Sequence, residues 1–376
     1  MQTKKFDYYL PKKLIAQKPI SPRDHSRLLV LKKRMGKIIH DHFYNLGHYL
    51  RKGDVVVLNN TKVIPARLIT DQGKEIFLLK SLDKNDSKWL CLTRCKGSSF
   101  IKFAGSTLVG RIDQKIIKFN LRGREFWKEV EKIGEVPTPS YVKSHKKYRK
   151  AKKDFYQTIF AKKKGSIAAP TAGFHFTQKL VDRLKKKGVK VAFITLHVGL
   201  GTFASIRAER VEEHQMHAEW FELSKYTADL LNRAKREGHR IVAVGTTAAR
   251  VLESCAITPL PHQNFFLLIP CSGETKIFIK PGYKFKFVDA LITNFHLPCS
   301  TPLLLASAFI EDHHRKLSFR DPSIARVEKS RSDEISHCVR NDRGKNEGIR
   351  ILLQSYREAI KKKYRFYSFG DAMLIV

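Results

Sequence analysis

The alternation of strand-like and helix-like segments from Ser166 onward is the feature that most restricts the folds open to this chain. A helix is predicted to start at Thr177, with the threonine as N-cap and Gly188 at its end. The segments that follow are, in order, the strand VKVAFITLHV, a helix near 224–237, the strand RIVAVG and a helix in TTAARVLES. Alternation of this kind predicts a mainly parallel or mixed sheet with helices on its faces.

The region from Arg67 to about Val136 has a different pattern, in which short apolar runs are separated by Gly, Asp, Asn and Ser, with no long helical period. The runs are EIFLLK, KWLCLTR, STLVGRI and KIIKFNL. Such a succession predicts a small β-barrel or sandwich. The expected fold class is therefore mixed α/β, with a large α/β domain of residues 1–66 and 155–376 and an inserted small β-barrel domain of residues 67–154.

The inserted domain ends in a basic linker, since residues 143–164 hold ten Lys and Arg against one acidic residue. The whole chain carries a formal net charge of +37, which implies a polyanionic partner or a basic proteome background. Nucleic acid is the commoner partner of a basic protein, because phosphate contacts release counterions. The linker is then either a solvated loop or a phosphate-tracking surface, and we favour the second.

Cysteine usage and hydropathy bear on the compartment. Six cysteines occur without a CxxC pair, so we expect reduced thiols. Cys91 and Cys95 would share one face of a strand, where core packing is a simpler interpretation than zinc binding. No signal-peptide core and no apolar run of membrane-spanning length is found. We therefore expect a cytoplasmic protein without membrane contact, and a monomer. Residues 311–346 are polar and poorly periodic, which predicts a surface insertion.

Two glycine-containing segments with histidines are candidates for a binding site. AAPTAGFHF contains Thr171, Gly173 and His175, and its small residues let the backbone approach a ligand. A buried histidine with internal partners is the simpler interpretation of His175. TLHVGLGTF follows a predicted strand at its carboxyl end, where α/β sheets bind ligands, although it lacks a full dinucleotide glycine motif. The candidate residues of this second segment are His197, Gly199, Gly201 and Thr202.

The segment EEHQMHAEWFEL concentrates His214, His217 and Glu219. A metal site is one interpretation, but the segment lacks the HExxH order and a clear third ligand. We favour acid–base and hydrogen-bonding roles, with a surface cluster as the simpler alternative.

AVGTTAARVLES is a strand, a glycine turn and a helix start. Exposed N–H groups at such a start attract carboxylate or phosphate, and Arg250 lies about one turn further along. Capping by Thr246 or Thr247 would also explain the two threonines.

Two further segments near the carboxyl end contain polar groups at strand ends. LITNFHLPCSTP ends a predicted strand at Asn294 to His296, and Thr301 before Pro302 is typical of a helix start. Asp371 lies in an otherwise apolar strand, so its carboxylate needs a cationic partner in the protein or in a ligand.

In their order along the chain, these segments closely resemble the S-adenosylmethionine:tRNA ribosyltransferase-isomerase family of queuosine biosynthesis, over nearly the whole chain. The matching blocks are FDYYLPKKLIAQKP, RDHSRLLVL, GDVVVLNNTKVIPARL, YQTIFA, GSIAAPTAGFHFT, TLHVGLGTF, HQMHAEWFE, AVGTTAARVLES, TKIFIKPGYKFKFVDALITNFHLPCST and YRFYSFGDAML.

The resemblance implies an α/β domain with an inserted β-barrel and an enzyme with two substrates. Such an enzyme moves the ribosyl part of S-adenosylmethionine onto 7-aminomethyl-7-deazaguanine at the wobble position of a tRNA anticodon loop. The product is epoxyqueuosine, and adenine and methionine are released. S-adenosylmethionine is then a ribosyl donor and not a cofactor, and neither a true cofactor nor a metal is expected.

Roles for individual residues follow as hypotheses. His197, His217 and His296 are acid–base candidates, Glu219 is expected to orient a histidine, and Asp371 to stabilise the sulfonium. The turn at Gly245 to Thr247, with Arg250, is expected to hold the methionine carboxylate. The substrate-binding candidates are Arg27, Arg67, Thr171, Gly173, His175, Gly199, Gly201, Thr202, His214, Thr246, Thr247, Arg250, Asn294, Arg365 and Phe366.

Some positions depart from the family pattern. Asn60 and Lys62 stand where Asp and Arg are more usual, and Phe155 stands where an Arg is more usual. These departures put in doubt an acid at position 60 and a guanidinium at position 155, but they leave the histidine-bearing blocks untouched.

Two other functions fit parts of the sequence. An RNA methyltransferase would need a fuller glycine loop and an acidic residue on the next strand, and neither is evident. A non-catalytic RNA-binding protein would use charge and aromatic residues alone.

Overall fold

The computed structural model describes residues 1–33, 35–95, 99–139, 141–142, 155–199, 205–257, 266–318 and 337–376, with side chains described up to 312 and from 347 around the last gap. The predicted basic linker over 143–154, and the candidates Gly201 and Thr202, lie outside the described residues. The chain divides into two compact units. The first comprises residues 1–59, 170–196 and 201–376, and the second comprises residues 60–169 and 197–200.

Strands and helices of the described chain are numbered in chain order. The strands are β1 Arg27–Lys32, β2 Lys37–His42, β3 Val55–Asn59, β4 Thr61–Val63, β5 Arg67–Ile69, β6 Glu75–Ser81, β7 Lys88–Thr93, β8 Ser99–Lys102, β9 Val109–Asp113, β10 Ile116–Phe119, β11 Lys163–Ser166, β12 Lys190–Leu196, β13 Glu219–Leu223, β14 Ile241–Val244, β15 Ala256–Ile257, β16 Leu267–Leu268, β17 Cys271–Thr275, β18 Ala290–Asn294 and β19 Ala372–Ile375. The α-helices are α1 Gly123–Ile133, α2 Gln178–Lys186, α3 Lys225–Arg236, α4 Thr246–Cys255, α5 Thr301–Ser318 and α6 His337–Lys361. Short 3-10 helices lie at Thr3–Phe6, Lys12–Leu14, Arg23–His25, Phe43–Tyr49, Thr171–His175 and Val211–Glu213.

The first unit is built on a nine-stranded sheet in the order β17-β13-β12-β3-β14-β18-β19-β1-β2. The four central strands β12, β3, β14 and β18 are parallel, whereas β13, β17, β19 and β2 pair antiparallel with a neighbour. The expected mixed α/β class is therefore confirmed. β3 is buried along its whole length, as its VVVLN sequence predicts for a strand covered on both faces.

Several strand ends lie together at one edge of this sheet. The carboxyl ends of the four parallel strands meet there, and ligands of open α/β sheets bind at such edges. β19 runs antiparallel to β18 and parallel to β1, with Ala372 opposite both Asn294 and Leu28. The beginnings of β1 and β19 therefore lie at the same edge as the end of β18.

Local signals place the helix starts correctly. The Thr177 hydroxyl accepts a hydrogen bond from Leu180 N and caps α2, and the Ser224 hydroxyl accepts one from Thr227 N and caps α3. Both helices present one apolar stripe to the sheet. Helix α4 differs because nine of its ten residues are buried, so it is packed on all sides.

The second unit contains a six-stranded sheet in the order β5-β6-β7-β10-β9-β8, antiparallel throughout. Short strands were predicted for this region and are present. The region was also predicted to lack a helix, and that prediction is wrong because β10 is followed by helix α1. Its sequence GREFWKEVEKI buries Phe126 and Val130, four residues apart, against the sheet, which is the spacing of an amphipathic helix. Cys91 lies in the same core, as the packing interpretation predicts.

The predicted irregular insertion at 311–346 is helical at both ends, because α5 continues to Ser318 and α6 begins at His337. Residues 319–336 of the insertion lie outside the described chain. The two helices pack closely, since a Cβ at Gly348 would meet the Ser307 carbonyl oxygen at 2.4 Å. Within the residues described, no helix is long and apolar enough to cross a membrane.

Candidate active site

The start of helix α4 forms one wall of a cleft in the first unit. The chain turns from β14 into the helix at Gly245, whose φ of +88° is costly for any residue with a Cβ. No threonine side chain caps the helix, so the capping interpretation of Thr246 and Thr247 is wrong. The Thr247 hydroxyl is instead buried without a hydrogen-bond partner among the residues described. A buried hydroxyl of this kind can form a hydrogen bond with a ligand that enters the cleft.

A buried ion pair lies beside this helix start. Arg250 donates from Nη1 to the Glu219 carboxylate, and only 8% of Arg250 and 6% of Glu219 is exposed. Arg250 Nε also donates to the Ile277 carbonyl oxygen at 3.3 Å. The pair is drawn together from different elements, since Glu219 begins β13 and Arg250 lies on the second turn of α4. Glu219, expected to orient a histidine, thus neutralises and orients Arg250.

His214 and His217 stand at the mouth of the same cleft, His214 half-buried and His217 exposed. Burial lowers the pKa of His214, and the neighbouring His217 lowers it further. The His214 ring packs edge-on against Phe278 at a centroid distance of 5.4 Å. An exposed imidazole can exchange protons with a ligand, as the predicted acid–base role requires.

The cleft is narrow and open to solvent, with a cavity volume of about 30 Å³. It unites six of the residues predicted for the site with apolar groups from the segment after β17 and from the start of α5. The lining residues are His214, Met216, His217, Glu219, Thr246, Thr247, Arg250, Ile277, Phe278, Ile279, Thr301, Pro302 and Leu305. An apolar cleft with a few convergent polar groups is the usual form of a small-molecule site.

A second cluster of predicted residues is closed. The Ser26 hydroxyl lies 2.8 Å from His175 Nδ1, and the Asn294 amide nitrogen lies 3.2 Å from His175 Nε2. Thr171 Oγ1 donates to Asn294 Oδ1 at 3.0 Å. Burial, with the charges of Arg365 and Arg23, lowers the pKa of His175 to about 3. His175 is therefore the buried histidine with internal partners that the simpler interpretation predicted, and Gly173 lies in the buried 3-10 turn just before it.

His296 is held in a similar way although the residue as a whole is only half-buried. Its Nε2 lies 2.7 Å from Thr293 Oγ1, and its backbone N–H donates to the Tyr356 hydroxyl at 3.0 Å. Its carbonyl oxygen accepts from the Tyr8 hydroxyl. Burial lowers the pKa of His296 to about 3, so the imidazole stays neutral at physiological pH.

Asp371 uses both carboxylate oxygens on backbone amides, accepting from Arg27 N at 3.0 Å and from Arg365 N at 2.8 Å. Burial raises its pKa, while these hydrogen bonds and the two arginine charges lower it. The Arg27 guanidinium lies 3.7 Å from the Tyr364 ring centroid. Phe366 is fully buried in an aromatic cluster, and its ring centroid lies 4.9 Å from that of Phe295. It therefore packs in the core.

Three predicted residues lie in the second unit. His197 Nδ1 is 2.8 Å from Thr61 Oγ1, and its ring packs on Gly165, where a Cβ would meet Nε2 at 2.5 Å. Arg67 forms ion pairs with Glu75 and Glu135, so its guanidinium is engaged within the unit. Gly199 is half-buried at the end of a described stretch.

Sequence reasoning missed Ser26, which contacts His175, and Phe278, which lines the cleft. Ser26 has no recognisable local signal, because only the placement of β1 beside β19 brings it to His175. Phe278 lies in the alternating TKIFIKP segment, which could have been recognised as a wall next to a strand end. Across the described ranges, no group of three or more His, Cys, Asp and Glu side chains is arranged to hold a metal.

Comparison with known proteins gives consistent matches along the whole chain. The family model for "Queuosine biosynthesis protein" matches residues 3–321 and 347–375. The S-adenosylmethionine:tRNA ribosyltransferase-isomerase of Carboxydothermus hydrogenoformans is 42% identical over 387 residues, which cover 100% of both chains. The crystal structure of S-adenosylmethionine tRNA ribosyltransferase from Thermotoga maritima is 33% identical, covers 99% of this chain and 100% of its own, and superposes with a TM-score of 0.51. The stretch that the family model omits, 322–346, falls inside the predicted insertion.

Proposed function

This chain belongs to the queuosine biosynthesis protein family, and we propose that it is an S-adenosylmethionine:tRNA ribosyltransferase-isomerase. It would transfer the ribosyl part of S-adenosylmethionine to 7-aminomethyl-7-deazaguanine at the tRNA wobble position, forming epoxyqueuosine and releasing adenine and methionine. The observation that carries this proposal is the full-length match to a relative with that name, in a chain in which six of the predicted site residues line one cleft.

We propose that the cleft beside α4 binds the methionine end of S-adenosylmethionine. The helix start offers backbone N–H groups and a positive dipole end, which favour a carboxylate. The unsatisfied Thr247 hydroxyl is available for a further hydrogen bond. Arg250 supplies less net attraction than predicted because Glu219 neutralises it, so the pair is better suited to shaping the wall.

The sulfonium would lie against Phe278. Aromatic faces attract cations, and this ring already lies 5.4 Å from the Lys280 ammonium. Asp371, predicted for this role, has both oxygens on backbone amides. We therefore assign it to holding the starts of β1 and β19 together.

The chemistry requires a base, because the sulfonium acidifies the adjacent C5′–H and its removal gives an ylide-like carbanion. Of the three predicted histidines, we propose His217 as the base. It lines the cleft and is exposed, whereas His296 is held in its surroundings by Thr293, Tyr8 and Tyr356. His197 stays an acid–base candidate. Loss of adenine and attack by the neutral exocyclic amine would follow with the reactants held in line.

The remaining expectations belong to the same proposal. The partners are S-adenosylmethionine, used as a substrate and not as a cofactor, and tRNA. A monomer in the cytoplasm is expected. Residues 67–154 are proposed to act as an inserted β-barrel domain, and the basic residues of the linker to follow the tRNA backbone.

The decisive experiment is incubation of the protein with S-adenosylmethionine and a tRNA carrying the deazaguanine precursor, followed by nucleoside mass spectrometry. Epoxyqueuosine together with free adenine and methionine supports the proposal, and a tRNA with guanine at the wobble position serves as control. Methylated RNA with S-adenosylhomocysteine would instead identify a methyltransferase. Failure to consume S-adenosylmethionine in the presence of suitable tRNA would support the other alternative, a non-catalytic RNA-binding protein.

A further inference from the structure

A groove of about 600 Å³ lies within the second unit, separate from the residues of the first-unit cleft. It is lined by α1, by β4 and the residues after it, and by the segment between 157 and 164. Its volume is within the range of roughly 300–1,000 Å³ that is usual for ligand pockets. The lining residues that carry the argument are Lys62, Trp127, Glu131, Gln157, Thr158 and Lys164.

Trp127 gives the groove a rigid aromatic surface. Its indole N–H donates to Asp86 Oδ2 at 2.7 Å, and its ring meets Trp89 edge-on at 5.8 Å. These two contacts fix the ring from the core side, yet Trp127 is only half-buried. An aromatic face that is held in place before binding loses little side-chain freedom when a planar ligand stacks on it.

Two lysines bring positive charge to this face. The Lys164 ammonium lies 4.9 Å from the Trp127 centroid and pairs with Glu131 at 2.6 Å. Side-chain exposures of 37% for Lys164 and 51% for Glu131 make this a weak surface pair. A phosphate could therefore replace Glu131 as the partner of Lys164 and free the ring face. Lys62 lines the groove as a second, half-buried cation.

Thr158 adds a polar group that is not satisfied in the described structure. Only 5% of the residue is exposed, and within the described chain its hydroxyl has no hydrogen-bond partner. The neighbouring Gln157 bonds both the N–H and the carbonyl oxygen of Val63, at 3.1 and 2.8 Å, and so holds this turn against β4. A buried hydroxyl fixed beside a groove is well placed to bond a polar ligand edge after a small rotation.

We infer that this groove binds one unpaired nucleotide of the tRNA substrate, with the base on Trp127, the phosphate between Lys62 and Lys164, and a hydrogen bond to Thr158. A stacking platform flanked by cations is the combination that proteins use for single-stranded RNA. The net charge of +37 favours such a polyanion over an acidic peptide of few charges. The inference rests on the proposed function only in naming tRNA as the source of the nucleotide.

The test measures binding of the full-length protein to an unmodified tRNA transcript, so that no chemistry is involved. Trp127→Ala is expected to raise the Kd roughly 5- to 100-fold, and Trp127→Phe much less, because stacking on an aromatic ring is retained. Lys62→Gln and Lys164→Gln should each lower the slope of log K against log salt by about 0.7. Lys163→Gln, an exposed lysine of β11 that does not line the groove, is the matched control.

Thr158→Val keeps the shape of the side chain and removes the hydroxyl. It should weaken tRNA binding severalfold while leaving the thermal midpoint unchanged or raised, because an unsatisfied buried group is removed. In turnover assays, Trp127→Ala should raise the KM for tRNA and leave kcat within about twofold, since the groove is proposed to bind and not to react.

A wild-type Kd and salt slope in Trp127→Ala and in the Lys62→Gln, Lys164→Gln double variant would overturn the inference. Should Trp127→Ala fail to fold, the lysine double variant and Thr158→Val still decide it. The proposed function fails separately, if the wild-type protein binds tRNA but yields no epoxyqueuosine. Normal turnover with groove variants that bind tRNA normally would reject the groove alone.

Discussion

The first unit contains two sets of histidines that look alike in sequence and differ in structure. His175 and His296 follow buried segments. His175 is buried and His296 half-buried, and each ring has a hydrogen-bond partner within the protein and a pKa lowered to about 3 by burial. His214 and His217 stand at the mouth of an open cleft beside a buried ion pair. The first set is suited to fixing strand ends in place, and the second is suited to exchanging protons with a ligand. A histidine's surroundings, and not its position at a strand end, separate the two roles.

The largest expected effect is on turnover at the open cleft. His217→Gln should lower kcat about 10²- to 10⁴-fold, because it removes the proposed base. Folding stability should change by less than about 0.5 kcal/mol, since His217 is exposed. Adenine release measures turnover, and the exposed His48→Gln of the same unit is the control. Wild-type turnover in His217→Gln would show that this histidine is not the base. The proposed difference in role between the two sets of histidines would then be wrong.

The buried ion pair tests whether the open cleft depends on a rigid wall. Glu219→Gln leaves the Arg250 charge buried without its carboxylate and should destabilise the protein by about 3–5 kcal/mol in urea unfolding. Glu347→Gln, which breaks an exposed pair with Arg350, should cost less than about 1 kcal/mol. Similar losses from both substitutions would mean that Glu219 and Arg250 do not act as a desolvated pair.

The enclosed histidines should show themselves in the pH dependence of stability. The folded-state pKa of His175 is about 3, below the ordinary 6.5, so the unfolded chain binds the extra proton between these values. Stability is therefore complete above pH 6.5 and falls as the pH drops toward 3, with a slope of about 1.4 kcal/mol per pH unit for each such histidine. His175→Gln should remove one such contribution. Equal slopes in the wild-type protein and in His175→Gln would show that His175 is not held neutral.

The smallest effect is expected from the unsatisfied hydroxyl in the cleft. Thr247→Val should weaken S-adenosylmethionine binding by a factor of roughly 2 to 10, corresponding to one hydrogen bond of about 0.5–1.5 kcal/mol. The stability of the free protein should stay constant or rise, because the hydroxyl has no partner within the part of the chain described. Thr247→Ser keeps the hydroxyl and should bind normally. Calorimetric titration of the three proteins compares them directly, and unchanged affinity in the valine variant would place the ligand elsewhere.

Much of the local structure could be predicted, because its causes are local. The hydroxyls of Thr177 and Ser224 cap the helices that they were expected to start, and the VVVLN run forms a strand buried on both faces. Helix α1 was missed although its apolar residues Phe126 and Val130 have helical spacing, because the surrounding short strands suggested one uniform pattern. The residue types of the cleft were also recognised, since His, Thr and Arg next to a glycine turn suit an anionic ligand.

The pairing of those residues could not be predicted. Glu219 was expected to orient a histidine, and the fold brings it to Arg250, 31 positions away, because β13 is packed beside α4. Ser26 meets His175 only because β1 joins the sheet next to β19, a strand from the opposite end of the chain. Asp371 was expected to have a partner, and the fold supplies the backbone amides of Arg27 and Arg365 together with their charges.

By itself, the sequence determined that strands and helices alternate, that glycine turns end several strands, and that histidines, threonines and an arginine follow those turns. These are consequences of side-chain spacing and backbone preference over a few residues. Only the tertiary structure decided which histidines are enclosed and which face the cleft. The order of the nine strands sets that outcome, and it depends on burying apolar surface between segments far apart in the chain.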